Sequence, residues 1–386
     1  MTTSIGDDVH AHIVREVCRV VGATPGDPTS LVEAEVRRLA PLASNDEQVA
    51  LATRAVARLT GLGELDAFLH DPGIDEVLVN GAREIWVDRG GVLEHVGSLE
   101  ADRIDHLIER VLAPLGRRVD RSSPIVDARL PDGARICAVL PPVAVEGTAL
   151  SIRRFQRRGL RVEAFTDQTG RRTLQHVVAA RCNVLVCGAT SSGKTSLVAA
   201  LVALCTPTER LVVVEDTAEL PIDHLHTVRL EARPASVDGP APIDLAQLVR
   251  TALRLRPDRI VVGEVRGDEV LALVQAMNTG HDGSMSTCHA NGPLDALLRL
   301  ESLVLQAAPT WPLAAIRHQL ARSVDVVVHV DRQAGDAVRR VASITEVSMP
   351  TATADGRSAP PRLVPLAQRA TDGSMEVVGT LTRGRR

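Results

Sequence analysis

The stretch GATSSGKT, Gly188 to Thr195, decides how the rest of the chain is read. It fits GxxxxGK[ST] completely and has an apolar strand-like run before it (NVLVC, 183–187) and an apolar helix-like run after it (TSLVAALVALC, 195–205). In such a loop consecutive backbone N–H groups wrap a phosphate, and the following helix presents its N-terminus to the same anion. The motif predicts that Gly188, Ala189, Thr190, Ser191, Ser192, Gly193, Lys194, Thr195 and Ser196 hold the phosphates of ATP. Lys194 then reaches the β- and γ-oxygens and Thr195 ligates Mg2+. Of the chain's 44 lysine and arginine side chains, Lys194 is the sole lysine. The 43 arginines are what a GC-rich genome would give, since arginine has GC-rich codons and lysine does not. The lysine persists where a compact ammonium on a flexible stem enters a narrow nest that a planar guanidinium does not fit.

Composition narrows the remaining choices. A chain of 386 residues is long enough for two or more cores, and 45% apolar with 24% charged residues is ordinary for a globular protein. The net charge of −4 supplies no basic field. Three Phe, two Trp and no Tyr leave few rings on which bases could stack, so direct nucleic-acid binding is not expected. The six cysteines include no CxxC pair and no secretory pattern opens the chain, which predicts reduced, buried thiols in a cytoplasmic protein. No run approaches the ~18 apolar residues of a membrane span. Membrane association would then run through a partner.

The pattern divides into parts with boundaries at 1–58, 59–155, 156–350 and 351–386. Residues 8–60 read as helical, with Val9, Ile13, Val14 and Val17 at helix spacing and Leu31, Val32, Val36 and Leu39 resuming after a GATPGDPTS loop. IDEVLVNGAREIWVDRGGVLEHV (74–96) alternates apolar and polar residues between turn signals and reads as a strand meander. The helix IDHLIERVLAPLG and the strands ARLPDGARICAVLPP and TALSIRRF complete a compact α+β domain. RRFQRRGLR (153–161) is the expected linker. Beyond it, short apolar strands alternate with helices, the signature of an α/β domain with a mostly parallel sheet covered on both faces. The last 36 residues read as a poorly defined tail, with one hairpin signal at Asp372-Gly373.

Two acidic strand ends follow the loop. Glu215 and Asp216 close LVVVEDTAEL, and Glu264 closes the strand of RIVVGEVRGDE. At the C-terminal ends of parallel strands such carboxylates point into the ligand crevice, suited to Mg2+ and water, although helix capping is an alternative for each. His281 and His289 bracket TGHDGSMSTCHANG. No accompanying ligand set makes them a metal pair. A γ-phosphate sensor, a link to a moving loop and a structural hydrogen bond all remain open for them.

In the order GATSSGKT, VVVEDTAEL, LVRTALRLRPDRIVVGEVRGDE, MNTGHDGSMSTCHANGP, residues of about 60–345 resemble the secretion and pilus ATPases of type II and type IV systems. These stretches match the family's Walker A loop, Asp box, atypical Walker B and His box. DEVLVNG, VDRGG, ARLPDGARICAVLPP and SIRRF are most similar to the Tad/Flp-pilus assembly (CpaF-like) branch, and the tetracysteine zinc module of many type II assembly ATPases is absent. The resemblance implies a RecA-like P-loop core preceded by a smaller PAS-like α+β domain, assembled as a homo-hexamer. It implies Glu264 as the Walker B glutamate, which would also contribute to the Mg2+ site through water. Glu215 would be the Asp-box glutamate that helps polarise water, leaving open which acid is the base. His281 and His289 would be the His-box pair. Arg129 and Arg135 would serve the nucleotide cleft, with Arg153 and Arg154 behind them and Arg250 and Arg266 as weaker candidates.

The expected function is a cytoplasmic ATPase ring, peripheral at the inner face of the plasma membrane. There it would drive pilus assembly or protein export through an inner-membrane platform protein. The alternatives are an ATPase energising conjugation-type DNA transfer or uptake, and a nucleotide-dependent scaffold.

Overall fold

The computed structural model describes residues 5–22, 24, 28–60, 62–81, 83–99, 103–130, 132–154, 159–233, 241–332, 338–349 and 359–384. The middle of the expected linker, 155–158, and the start of the expected tail, 351–358, lie outside the described residues. The chain divides into two units, Met1–Phe155 and Gln156–Arg386.

The first unit opens with α1 (Ile5–Gly22), α2 (Pro28–Leu39) and α3 (Asn45–Thr60). Val14, Val17 and Val21 repeat at helix spacing and bury against Val32, Val36, Leu51 and Ala55. Ser44 and Glu47 form a reciprocal capping box at the start of α3, with Ser44 N 2.8 Å from Glu47 Oε2 and Glu47 N 3.3 Å from Ser44 Oγ.

An antiparallel sheet follows, built from β1 (Glu76–Asn80), β2 (Glu84–Arg89), β3 (Val92–Ser98), β4 (Ile125–Arg129), β5 (Arg135–Val139) and β6 (Ala149–Arg153). Its order is β3-β2-β1-β6-β5-β4. The period-two pattern holds: Val77, Val79, Ile85, Val87, Ile136 and Ile152 face a core completed by Ile104, Ile108 and Leu112 of α5 (Arg103–Leu112). The short α4 (Asp66–His70) precedes β1.

The second unit is organised by a nine-stranded sheet, in the order β15-β14-β13-β12-β7-β11-β10-β8-β9. The strands are β7 (Val184–Gly188), β8 (Leu211–Glu215), β9 (Thr227–Glu231), β10 (Arg259–Val262), β11 (Met285–His289), β12 (Val326–Arg332), β13 (Arg339–Ser348), β14 (Arg362–Arg369) and β15 (Met375–Val377). From β12 to β9 every neighbouring pair is parallel, whereas β12, β13, β14 and β15 pair antiparallel. Five of the eight neighbouring pairs are thus parallel, so the mostly parallel sheet carries an antiparallel margin that the sequence did not announce.

The poorly defined tail is corrected, since β14 and β15 belong to this sheet. Pro365 lies within β14, where the register against β13 shifts between Ile344 and Thr345. A bulge thus accommodates the proline that makes this segment read as irregular.

Residues on β7 are all buried because both faces are covered. Val184 and Val186 pack with α6 (Gln168–Ala179) and α7 (Lys194–Val202) through Leu174, Val177, Leu197 and Leu201. Leu185 and Cys187 face the other way, toward α8 (Leu245–Ala252), α9 (Glu269–Asn278), α10 (Pro293–Ala307) and α11 (Leu313–Ser323). This burial on both sides holds the end of β7, and the loop that leaves it, in a fixed place.

Candidate nucleotide site

The loop 188–193 connects β7 to α7, as a phosphate cradle requires. Ser191 (φ 58°) and Gly193 (φ 94°) both adopt left-handed backbone, a turn sequence that directs successive amides to one side. Gly188 is fixed by crowding: a Cβ there would lie 2.3 Å from the Val330 carbonyl oxygen and 2.4 Å from Ser192 Oγ. Lys194 opens α7 and is 8% exposed. Its Nζ donates to the Ala189 carbonyl at 2.8 Å, so the ammonium lies across the loop. Burial pushes its pKa below the ordinary lysine range, and the nearby Glu264 carboxylate works in the opposite direction.

The acidic strand ends flank the loop across β11. Glu264 follows β10 and keeps 22% of its side chain exposed, with Arg266 Nη2 2.5 Å from its Oε2. That ion pair raises the Arg266 pKa. Glu215 ends β8 and is 3% exposed. Its Oε1 accepts the Glu219 and Leu220 amides at 2.8 and 2.7 Å, and Arg229 Nη2 lies 3.2 Å from its Oε2. Burial raises the Glu215 pKa, against the pull of those amides and of Arg229. Gly263 makes room for it, since a Cβ there would lie 3.1 Å from Glu215 Cγ.

The two histidines sit at opposite ends of β11. His289 is its last residue, paired in register with Gly188, and its Nδ1 lies 3.5 Å from Thr190 Oγ1. His281 precedes the strand. The adjoining Gly283 and Ser284 amides donate to Asn183 Oδ1, just ahead of β7, so His281 belongs to the edge where β7 begins. The strand between them spans about 15 Å at ~3.3 Å per residue. His281 lies at the end of β11 away from the loop, so of the readings left open for the two histidines only His289 has the position for a γ-phosphate sensor. The Nδ1 of His281 is buried and without a hydrogen-bond partner.

Residues 58–378 match the family described as type II/IV secretion system protein. The chain belongs to that family. Among the relatives of this secretion ATPase is a putative conjugal transfer protein of Mycobacterium tuberculosis (strain H37Rv), 42% identical over 74% of this chain and 84% of that protein. Another is the type IV secretion system protein PtlH of Bordetella pertussis, 32% identical over 72% of this chain and 91% of the relative. The crystal structure of the pilus retraction motor PilT with bound ADP shares the fold at 18% identity and a TM-score of 0.53, covering 82% of this chain and 83% of that one.

The remaining site candidates of this secretion ATPase fall in several places. Thr195 and Ser196 occupy the first turn of α7 and are partly exposed. Arg129 and Arg135 are cross-strand partners on β4 and β5, and Arg135 in turn pairs with Arg153 on β6, which forms an arginine row on the outer face of the antiparallel sheet. Arg154 instead supports the backbone of the same unit, bonding the Asp71 and Ile74 carbonyls. Arg250 is exposed in the last turn of α8.

Sequence reasoning missed two contributors. Glu269 is buried and its Oε1 accepts the Arg266 and Gly267 amides at 2.5 and 2.8 Å, which fixes the turn carrying Arg266. Thr287 Oγ1 donates to the Gly263 carbonyl at 2.7 Å, tying the strand before His289 to the residue before Glu264. An acid five residues beyond Glu264 was a visible signal for the first. Nothing local signalled the second.

Proposed function

We propose that the chain is the Mg2+-dependent ATPase motor of a secretion or pilus machine, working as a hexameric ring docked on an inner-membrane platform protein. The observation that carries the reading is the buried Lys194 in the loop that leaves β7, with the Glu264 carboxylate close enough at the end of β10, across β11, to act on its charge. In the proposed cycle the loop amides and Lys194 hold the triphosphate, and Glu264 orients and deprotonates the attacking water. Glu215 holds its strand end in shape.

The arginine row of Arg129, Arg135 and Arg153 supports a further role for the N-terminal unit. Like charges directly opposite on a sheet repel, and although Asp127 Oδ1 lies 3.4 Å from Arg135 Nη2, the row keeps an excess of positive charge that suits an anion. In the ring, Arg129 and Arg135 would meet the nucleotide of a neighbouring copy, so that hydrolysis depends on assembly. On this reading 1–58 is an accessory helical segment, 59–155 a PAS-like domain and the remainder the RecA-like core.

The Thr195 hydroxyl and Glu264 carboxylate are hard oxygen donors suited to Mg2+, with Glu264 acting partly through water. Among the described residues no cluster of three His, Cys, Asp or Glu side chains forms a cage of its own, which fits an ion shared with phosphates. When bound, Mg2+ neutralises developing charge on the β- and γ-oxygens.

No helix among the described residues is long and apolar enough to cross a membrane. A cytoplasmic protein attached peripherally through its platform accords with that. The motifs favour the Tad/Flp pilus branch, whereas the name of the Mycobacterium tuberculosis relative favours conjugation-type DNA transfer as a second reading.

Affinity capture of Glu264→Gln from gently solubilised membranes, with mass spectrometry of what copurifies, separates the two. A polytopic platform protein with small pilin-like subunits supports the pilus motor, and channel subunits with a DNA-processing enzyme support transfer. Wild-type ATP turnover by the same variant would overturn both.

A further inference from the structure

A cation from the antiparallel part of the sheet reaches the loop from the side opposite the carboxylates. Gly193 packs directly against Arg339, the first residue of β13. A Cβ on Gly193 would lie 2.7 Å from Arg339 Cδ and 3.2 Å from Phe165 Cε1. β13 runs antiparallel to β12, and Arg339 pairs with Arg332 at the end where the parallel strands finish. Arg339 therefore shares the sheet edge from which the loop emerges. Its stem is held against Gly193, and its guanidinium has no hydrogen bond or ion pair among the described residues. A partly buried arginine is seldom left so; its five donors are usually matched to an anion or to carbonyls.

The strand order gives this cation its role. β7 stands between β12 and β11. Glu264, Arg266, Glu215 and His289 all lie on the β11, β10 and β8 side, where the γ-phosphate and the attacking water must be. A triphosphate laid along the loop with its γ end on that flank carries its nucleoside end toward β12 and β13.

We infer that Arg339 is a nucleotide-binding residue supplied by the same subunit, its guanidinium pairing with the α-phosphate while its stem and Phe165 close the floor beneath Gly193. This rests on the ATPase reading above. Arg339 grips the part of ATP that does not change charge during γ-transfer, so it contributes to affinity and little to the chemical step.

The test uses the full-length protein and two substitutions. Arg339→Met keeps the stem against Gly193 and removes the charge; Arg339→Lys keeps a charge. Charge-assisted hydrogen bonds of this kind support a loss of about tenfold or more. Arg339→Met is expected to weaken ADP binding and raise the KM for ATP by about that factor, with kcat at saturation reduced less than about threefold. Arg339→Lys is expected to recover most of the affinity. Pyrophosphate binding to Arg339→Met should stay close to wild type, because pyrophosphate fills the loop without needing the α position.

Unchanged ADP affinity in Arg339→Met, or a fall in kcat with affinity intact, would overturn the assignment. An equal loss for pyrophosphate would overturn the α-phosphate placement. Lys194→Ala serves as the reference: if it too binds ADP normally, the loop reading itself has failed, which is a different result from a failure of Arg339 alone.

Discussion

Glu215 and Glu264 end neighbouring parallel strands, yet Glu264 keeps 22% of its side chain exposed beside Arg266, whereas the carboxylate of Glu215 is buried and taken up by two backbone amides and Arg229. The pair should therefore respond differently to removal of charge. Glu264→Gln is expected to keep its fold and its ATP affinity while losing about 100-fold or more in kcat, the range for a displaced general base. Glu215→Gln should instead lower unfolding stability by about 1–3 kcal/mol, because the two amides keep only a neutral acceptor and Arg229 loses its charged one. Denaturant titration beside single-turnover hydrolysis separates the two. A fully stable, inactive Glu215→Gln would reassign the base.

The two histidines offer a second contrast. His289 stands within 3.5 Å of Thr190, so His289→Ala should cut turnover about tenfold by loosening the loop. His281→Ala, at the far end of β11, should leave ATP affinity within about twofold of wild type. Steady-state ATP hydrolysis reads the first, and isothermal titration with a non-hydrolysable ATP analogue reads the second. Equal loss in the two variants contradicts the placement of His281.

Gly188→Ala places a methyl group against the Val330 carbonyl and Ser192 Oγ. Overpacking at such a site destabilises by about 1–3 kcal/mol, and the backbone shift that relieves it also displaces the cradle. The expected outcome is a lower melting temperature together with loss of ATP binding. Normal binding in a destabilised Gly188→Ala would show that the loop tolerates the shift.

Acid sensitivity should centre on Glu209. Arg181 donates to its Oε1, and Arg259, 3% exposed, donates to its Oε2 at 3.1 Å. Burial pushes the Glu209 pKa up, but the two arginines outweigh it and hold the carboxyl below the ordinary 4.5. A depressed folded pKa contributes stability that is present above the unfolded value and is lost as pH falls through the folded one. Glu209→Gln should cost about 3 kcal/mol at neutral pH, since it leaves Arg259 buried without its charge partner. The deficit should shrink below about pH 4. A deficit independent of pH speaks against an ionic origin.

Burial pushes the Cys187 thiol up to about 12 and those of Cys205 and Cys288 up to about 11. With so little thiolate, iodoacetamide at pH 8 should spare these three in the native protein and label all six cysteines after unfolding. Peptide mapping reads the difference. Rapid native labelling of Cys187 or Cys288 would mean that the core beneath the loop opens readily.

The parts of this fold written in local pattern were legible from sequence. Period-two valines marked β1 and β2, apolar runs marked β7, β8 and β10, and GATSSGKT marked the turn between β7 and α7. Lys194, Glu264 and His289 were found because each sits at a motif's end. The failures came from information that is not local. Residues 362–369 contain Pro365, which argues against a strand until β13 supplies the bulge that accepts it. His281 and His289 look like a pair in sequence, and only the length of β11 separates them. Glu215 looked available until the fold of residues 216–220 returned two amides to its carboxylate. Arg339 lies 146 positions from Gly193 and carries no motif, so its contact with the loop exists only once β12 and β13 are in place.

The strand that delivers the loop is the fifth of nine, with four strands on either side. An outer strand can peel by giving up a single ladder of hydrogen bonds, whereas β7 cannot shift without breaking two ladders and wedging half the sheet aside. A displacement imposed at either margin can be taken up in the outer ladders while β7 keeps both of its own. The loop therefore rides on the sheet's stiffest line, as an axle hub does on its wheel, and can keep its shape around a phosphate while the margins flex.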